Sequence, residues 1–173
     1  FGIATTYVDP NDLDAWRAAV RPETKLFFVE TPSNPLTELC DIEAIGQISK
    51  AAGALFVVDN SFCSPAVQQP LKLGADVVMH SATKLIDGQG RVLGGALVGT
   101  RQFIMEKVFP FVRTAGPTLS AFNAWILLKG LETLSLRAER HSASALTLAR
   151  WLEAHPRVKR VYYPGLESHP QYA

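Results

Sequence analysis

The sequence predicts an α/β fold, built around a mixed or parallel β-sheet with helices on both faces. Short, nearly continuous apolar runs alternate along the chain with segments of helical periodicity. Turn-forming residues separate these segments, and apolar side chains make up 47% of the 173 residues, enough for a sizeable core. This alternation is typical of open sheets whose chemistry lies at the carboxyl ends of the strands.

The predicted elements begin near the first residue. Residues 2–8 are rich in β-branched and aromatic side chains, which favours a strand, and residues 11–20 follow with helical spacing of apolar residues. Residues 24–30 form an apolar run typical of a strand buried on both faces, and the turn-rich "TPSNP" closes it. Residues 41–53 predict a helix, because Asp41 can cap its start, isoleucines recur at helical spacing and a glycine suits its end.

The same alternation continues through the middle of the chain. Residues 54–60 and 75–80 are predicted to be two further buried strands, and residues 65–74 a short helix or turn between them. The glycine-rich segment that follows leads into residues 94–100, which predict another strand.

The last third of the chain is predicted to be mainly helical. Residues 120–131 and 135–155 have helical periodicity, and Pro156 ends the second helix before a new strand. A long helix followed by a fresh strand indicates passage out of the first domain. We predict a large domain, a linking helix and the start of a C-terminal domain: residues 1–131, 132–156 and 157–173. Since the chain starts without methionine and ends abruptly, we expect it to be an internal segment of a longer protein.

Composition excludes several classes of function. The formal net charge is +1 and no basic run is present, so an electrostatic reason to expect nucleic acid or an anionic membrane is missing. Every apolar stretch is interrupted before the roughly 20 residues that a membrane span needs. The two cysteines, Cys40 and Cys63, lack the spacing of a zinc site or of a disulfide framework, so we predict no metal site and a reducing cytoplasm.

Polar side chains follow the predicted strands where each strand ends. Glu30 and Asn34 follow one strand, Asp59 follows the next, and the third leads through His80 to Lys84. In an open parallel sheet these ends face one crevice. Each residue has a structural alternative, because Asp is often a cap, Lys is usually solvated, and Ser or Thr usually bonds to local backbone. One chemistry, however, needs all of these groups together.

That chemistry is catalysis with pyridoxal 5′-phosphate (PLP). A lysine amine forms a Schiff base with the aldehyde of PLP, a carboxylate keeps the pyridine nitrogen protonated, and hydroxyl groups hold the phosphate. The glycine-rich "GQGRVLGG" offers a rival interpretation as a nucleotide-binding loop. Such a loop must follow a strand directly and open a helix, whereas this one precedes a predicted strand. We therefore interpret these glycines as shaping a loop and a close-packed strand.

Four segments of the chain carry a specific resemblance: "ETPSNP", "VVDNSFCSP", "HSATKLIDGQGRVLGG" and "LSAFNAWILLKGLETLSLR". They closely resemble the cystathionine synthase and lyase family, also called the Cys/Met metabolism family, of fold-type-I PLP enzymes. The resemblance covers essentially the whole chain, and the S-A-T-K motif with an Asp 25 positions upstream is highly specific. It implies the central part of the PLP-binding large domain. Within the family, "DGQGRVLGG" looks most like the O-succinylhomoserine sulfhydrylase branch.

The resemblance implies roles for individual residues. Lys84 matches the Schiff-base lysine, and Ser81 and Thr83 match the phosphate-binding hydroxyls that flank it. Asp59 matches the partner of the pyridine nitrogen. Ser61 takes the place of a small hydroxyl residue packed against the ring.

Other residues of the implied site are peripheral or lie outside this chain. Asn34 matches an amide near the ring hydroxyl and the substrate carboxylate, and we assign Glu30 and His80 supporting roles. The family's upstream phosphate loop, its ring-stacking Tyr, and the Tyr and Arg from a neighbouring subunit are expected before residue 1. The Arg that binds the substrate carboxylate is expected after residue 173. We therefore expect the isolated segment to be weakly active or inactive.

The implied reaction is γ-replacement on O-succinyl-L-homoserine by sulfide, giving homocysteine and succinate, in a homotetramer built from dimers. The alternatives within the family are cystathionine γ-synthase, a γ-lyase and an O-acetylhomoserine sulfhydrylase. An alternative of another class is a non-catalytic assembly module. A nucleotide-binding domain that uses "GQGRVLGG" would instead bind NAD or ATP without needing Lys84.

Overall fold

The computed structural model describes residues 1–172 and has a four-stranded mixed sheet at its centre. The strands lie in the order β1 (Leu26–Glu30), β2 (Leu55–Asp59), β3 (Val77–Ser81) and β4 (Gly95–Gly99). The first three strands are parallel to one another, and β4 runs antiparallel to β3. The predicted α/β architecture with a mixed sheet is therefore confirmed.

Helices occupy most of the chain between and after the strands. Those in the first half are α1 (Leu13–Ala18), α2 (Ile42–Ala51) and α3 (Ser64–Val67), with a 3₁₀ turn at Pro70–Leu73. After β4 come α4 (Arg101–Phe103), a π-helical turn (Ile104–Val108) and α5 (Phe109–Ala115), followed by α6 (Ala121–Leu131) and α7 (Leu134–Glu153). The sequence predicts α1, α2, α6 and α7 but not the helical segment between β4 and α6.

The main hydrophobic core lies between α2 and one face of β1, β2 and β3. Alternate residues of the strands point into it, among them Phe27 and Phe56, and Ile45 of α2 is fully buried against them. Asp41 caps α2, since its carboxylate accepts a hydrogen bond of 2.9 Å from the Ala44 amide. Gly53 follows the helix with a φ of +65°, which glycine adopts without strain.

A second, smaller core fixes the turn that follows β3. Ala82 and Ile86 of this turn are buried against Leu127 of α6 and Leu134 at the start of α7. Two helices that are distant in sequence therefore hold the segment around Lys84 in place.

Two predicted strands are wrong. Residues 2–8 form no strand, and Ile3 and Tyr7 are 81% and 92% exposed. The segment after Pro156 forms turns and irregular structure through residue 172. Both segments contain side chains that favour a strand. A strand also needs a hydrogen-bonding partner for its backbone groups, and the described residues supply none.

The predicted division into domains at residues 132–156 stays a prediction. Helix α7 falls within that range, and the segment beyond it returns to the body of the fold. There the Gln171 side chain accepts a hydrogen bond of 2.9 Å from the Leu39 amide and donates one of 2.7 Å to the Leu39 carbonyl. In residues 1–172, no helix combines the length and the apolar character that a membrane crossing requires.

Candidate active site

The carboxyl ends of the three parallel strands meet at one edge of the sheet. In the register of these strands Glu30 lies beside Asp59, and Asp59 lies beside Met79. The segments that follow the strands therefore emerge side by side. They carry the side chains that the sequence analysis singled out, from Asn34 after β1 to Lys84 after β3.

Asp59 and Ser61 form the best-defined part of this edge. Asp59 Oδ1 accepts hydrogen bonds of 2.5 Å from the Ser61 hydroxyl and 2.9 Å from the Ser61 amide. Ser61 Oγ in turn accepts a hydrogen bond of 2.8 Å from the Ser81 amide at the end of β3. These bonds fix one oxygen of the carboxylate and link two neighbouring strands. Asp59 Oδ2 accepts no hydrogen bond from the described residues and is open to solvent.

Lys84 lies in a compact turn directly after β3. The Lys84 amide donates to the Ser81 carbonyl at 3.1 Å, and the Lys84 carbonyl accepts from the Gly88 amide at 2.8 Å. The Asp87 amide also donates to the Ala82 carbonyl at 2.8 Å. The side chain of Lys84 is exposed, and within residues 1–172 its amine has neither a hydrogen bond nor an ion pair. The backbone of the residue is therefore ordered while its amine is available for chemistry.

The two hydroxyls that flank the turn differ in their surroundings. Ser81 Oγ makes no hydrogen bond to any described residue, so it can donate to a ligand. Thr83 Oγ1 is engaged, because it donates to the Gly94 carbonyl and accepts from the Gly94 amide, both at 3.2 Å. Thr83 thus joins the turn to the start of β4, a contact that sequence reasoning did not predict.

Asn34 lies in the loop after β1, with an exposed side chain. Its backbone amide approaches Glu30 Oε2 at 3.4 Å, so Glu30 supports this loop. Glu30 is paired in register with Asp59, so the loop that carries Asn34 leaves the same edge of the sheet. The roles of Asn34 and Glu30 stay predictions.

A buried network of side-chain amides lies directly after β1 and β2, next to Asp59. The sequence analysis did not identify it. Asn60 is fully buried and donates to the carbonyls of Ser64 and Gln68, at 3.2 and 2.8 Å. The Gln68 side chain donates to the Thr31 carbonyl and to Asn60 Oδ1, each at 2.9 Å. The network ties the chain after β1 to the chain after β2, which holds neighbouring Asp59 in place.

The glycine-rich segment is organised around an ion pair between the buried Asp87 and the partly exposed Arg91. Asp87 has no exposed surface, and its Oδ1 accepts a hydrogen bond of 2.8 Å from Arg91 Nε. The amides of Arg91 and Gln89 also point at Oδ2. Burial alone raises the pKa of Asp87, but the hydrogen bonds and the charge of Arg91 outweigh it, so the pKa of this carboxyl lies below its ordinary value.

Burial shifts the pKa of His80 and of the two cysteines, Cys40 and Cys63. His80 is 6% exposed and its Nδ1 has no hydrogen-bond partner in the described residues. Burial lowers the pKa of His80 against the weaker opposing effects of Asn60 and Asp59, so the imidazole is neutral at pH 7. Burial raises the pKa of the thiols of Cys40 and Cys63, which keeps them protonated.

The residues at this edge fit PLP by the chemistry of their free groups. Lys84 offers an unpaired amine, Asp59 an open carboxylate oxygen and Ser81 an unpaired hydroxyl. These are the donor and acceptor types that an aldehyde, a protonated pyridine nitrogen and a phosphate require. The interpretation of "GQGRVLGG" as a loop before a strand is confirmed, because β4 rather than a helix follows it.

Comparison with known proteins identifies the family that this chain matches. The family model described as "Cys/Met metabolism PLP-dependent enzyme" matches residues 1–173. An O-succinylhomoserine sulfhydrylase from Pseudomonas aeruginosa is 64% identical over 99% of this chain and 42% of its own length. A cystathionine gamma-synthase from Mycobacterium leprae is 50% identical over 95% of this chain and 42% of its own length.

A solved structure gives the same fold. The cystathionine gamma-lyase from Lactobacillus plantarum, complexed with L-serine, superposes with a TM-score of 0.93 at 40% identity. The match covers 96% of this chain and 44% of that one. The chain thus spans less than half of the length of the proteins it matches.

Proposed function

The chain belongs to the Cys/Met metabolism family of PLP-dependent enzymes, and from this premise we propose that the intact protein makes homocysteine and succinate from O-succinyl-L-homoserine and sulfide. The observation that carries the proposal is the convergence of Asp59, Ser81 and Lys84 at the carboxyl edge of the sheet. The 64% identity to an O-succinylhomoserine sulfhydrylase supports the choice of substrate.

Lys84 is proposed to have two roles. Its amine has no partner among residues 1–172, so it could bond covalently to the aldehyde carbon of PLP. With the substrate bound to PLP, the free Lys84 amine would act as the base that accepts the α-proton. The same amine would be the group that returns protons to the substrate during the replacement of succinate by sulfide at the γ-carbon.

Asp59 is proposed to hold the pyridine nitrogen through Oδ2, the oxygen that Ser61 leaves open. A carboxylate there stabilises the protonated nitrogen. Bound PLP supplies an electron-withdrawing ring that stabilises negative charge at the substrate α-carbon. The role of Asp59 is therefore to keep that ring protonated at neutral pH.

Three further residues belong to the proposed site. Ser81 donates a hydrogen bond from its free hydroxyl to the phosphate, and Thr83 donates there once its hydroxyl turns away from the Gly94 carbonyl. Asn34 brings its amide towards the ring hydroxyl and the substrate carboxylate. We further propose a cytoplasmic homotetramer whose substrates are a small amino-acid derivative and sulfide.

The experiment that tests the choice of substrate is product analysis with the intact protein. Sulfide and cysteine are compared as nucleophiles. The succinyl and acetyl esters of homoserine are compared as the substrates that lose their acyl group. We expect homocysteine with sulfide, and a kcat/KM for the succinyl ester higher by about tenfold or more, since a site built for the extra carboxylate rejects an ester without it.

Any other result of the product analysis would point to a different activity, or to none. Cystathionine formed from cysteine would replace the proposal by a γ-synthase, as in the relative that is 50% identical. Release of a keto acid and ammonia without a nucleophile would indicate a γ-lyase. A preference for the acetyl ester would indicate an O-acetylhomoserine sulfhydrylase, and failure to bind PLP at all would leave a non-catalytic module.

A further inference from the structure

Arg137 reaches from α7 to the backbone of the turn that carries Lys84. Its Nη1 donates to the Leu85 carbonyl at 2.6 Å, and its Nη2 donates to the Ile86 carbonyl at 3.2 Å. Nη2 also donates to the Gly130 carbonyl at 2.7 Å. The guanidinium therefore binds the two residues that follow Lys84 and the last turn of α6 at once.

These contacts complete the hydrogen bonding of the lysine turn. The turn itself satisfies the carbonyls of Ser81, Ala82 and Lys84 with its own amides. The next two carbonyls, of Leu85 and Ile86, have no such amide partner and receive Arg137 instead. Carbonyls at the end of a helical turn attract a cation, so one guanidinium stabilises both the lysine turn and the end of α6.

Arg137 forms no ion pair with a carboxylate among residues 1–172, so no acidic side chain competes with the backbone carbonyls for its guanidinium. The ion pairs there join other residues, and the one neighbouring side chain that Arg137 binds is the Thr133 hydroxyl, at 3.1 Å from Nε. Its charge is therefore directed at backbone carbonyls. Hydrogen bonds from a charged donor are about twice as strong as neutral ones.

Two glycines make the close approach possible. A Cβ on Gly88 would overlap Arg137 Nη1, and a Cβ on Gly130 would overlap the Ile86 carbonyl oxygen. Both positions lack side-chain atoms where the turn, the guanidinium and α6 meet. Gly88, Gly130 and Arg137 thus form a clamp, a close contact between the lysine turn, α6 and α7 that a side chain at either glycine would block.

We propose that Arg137 is a positioning residue for Lys84: by binding the Leu85 and Ile86 carbonyls it fixes the turn from which the Lys84 amine projects. The inference rests on the proposed function, in which that amine bonds to PLP. Arg137 itself touches neither cofactor nor substrate in this account. Its effect passes through the backbone of the turn.

The test uses the intact protein freed of PLP, as wild type and as Arg137→Ala, Arg137→Lys and Arg140→Ala. PLP is added, and the rate of its capture on Lys84 is measured by absorbance and by borohydride reduction with peptide mapping. Amide hydrogen exchange over residues 82–90 is measured without PLP. Arg140, exposed on the same helix and without a hydrogen bond in the described residues, is the matched control.

We expect Arg137→Ala to exchange these amides faster and to capture PLP more slowly, each by about tenfold or more, because the turn loses two hydrogen bonds from a charged donor and the loss of one is already worth about tenfold. Arg137→Lys should be intermediate, because its ammonium restores the charge but not the fork of donors. Arg140→Ala should match the wild type.

Capture on Lys84 at the wild-type rate in Arg137→Ala, even with a lowered melting temperature, would overturn the proposal and leave Arg137 a purely structural residue. If Arg137→Ala does not fold, Arg137→Lys decides: capture at the wild-type rate overturns the proposal and slower capture supports it. Absence of capture on Lys84 in the wild type is a different result, because it overturns the proposed function and the role of Arg137 with it.

Discussion

At the scale of single residues, Ser61 has a more defined task than a small residue packed against a ring. It donates two hydrogen bonds to Asp59 Oδ1 and accepts one from the Ser81 amide. The side chain therefore orients the carboxylate and satisfies a backbone donor of the next strand. Both tasks depend on the hydroxyl oxygen.

Replacement of Ser61 by Ala should lower the free energy of unfolding of the PLP-free protein by about 1 kcal/mol, because the Ser81 amide loses its acceptor. PLP should also bind more weakly, since Asp59 keeps one hydrogen bond from Ser61 instead of two. Urea unfolding and a PLP titration measure the two effects. Ser135→Ala, at an exposed site on α7, is the control. Equal stability of the Ser61 variant and the control would contradict this account.

Asp87 gives a prediction for acid stability. Its pKa in the folded protein lies below the ordinary value of 3.8 because of Arg91, so the carboxylate stabilises the fold above that pH. This stabilisation is lost as the pH falls below 3.8 through the folded value. Asp87→Asn should therefore be less stable than wild type at neutral pH and should lose less stability on acidification.

Urea unfolding midpoints at pH values above and below 3.8 measure the dependence of stability on pH, and thermal unfolding at neutral pH measures the loss of stability there. We expect the neutral-pH melting temperature of Asp87→Asn to fall by roughly 5 °C or more, as is typical when a buried hydrogen-bonded charge is lost. Asp14→Asn, whose side chain is 93% exposed, controls for a general change of charge. Parallel acid profiles of Asp87→Asn and wild type would refute the role of the ion pair.

At the scale of elements, the lysine turn and β4 are joined through Thr83. Thr83→Val keeps the shape but removes both side-chain hydrogen bonds to Gly94, whereas Thr83→Ser keeps the hydroxyl. The Val variant should be less stable by about 1–2 kcal/mol in the absence of PLP, and the Ser variant should be closer to wild type. If chemical denaturation gave the two variants the same stability, the hydrogen bonds between the Thr83 hydroxyl and Gly94 would contribute nothing to the free energy of unfolding.

The sequence predicted those strands and helices whose signals lie within the element itself. The apolar runs of β1 to β3 and the Asp41 cap of α2 were readable because burial and capping leave a pattern within a few residues. Residues 2–8 have the side chains of a strand, yet Ile3 and Tyr7 are exposed. Pairing depends on a partner elsewhere in the chain, so composition could not decide it.

The candidate site was predictable to the same extent. Asp59 and Lys84 were placed at one edge because both follow apolar strands, and the register of β2 and β3 brings those ends together. Arg137 could not be found in this way, because 52 residues separate it from Leu85 and no local pattern marks the contact. Long-range hydrogen bonds of this kind became visible only in the fold.

At the scale of the whole molecule, apolar surface remains exposed on this chain. Phe28 on the second face of β1 is 48% exposed, and Phe122 and Trp125 on α6 are 65% and 54% exposed. The chain spans 42% of the length of the two curated relatives described above. Measurements of function therefore belong to the intact protein.

The most direct test of the account is a borohydride trap on the intact protein. The protein is incubated with PLP, reduced, digested and mapped by mass, with Lys84→Ala treated in parallel. We predict a pyridoxyl group predominantly on Lys84, and its loss without relocation in the variant. A label spread over exposed lysines such as Lys25 and Lys50, unchanged by the substitution, would contradict the claim that Lys84 anchors the cofactor.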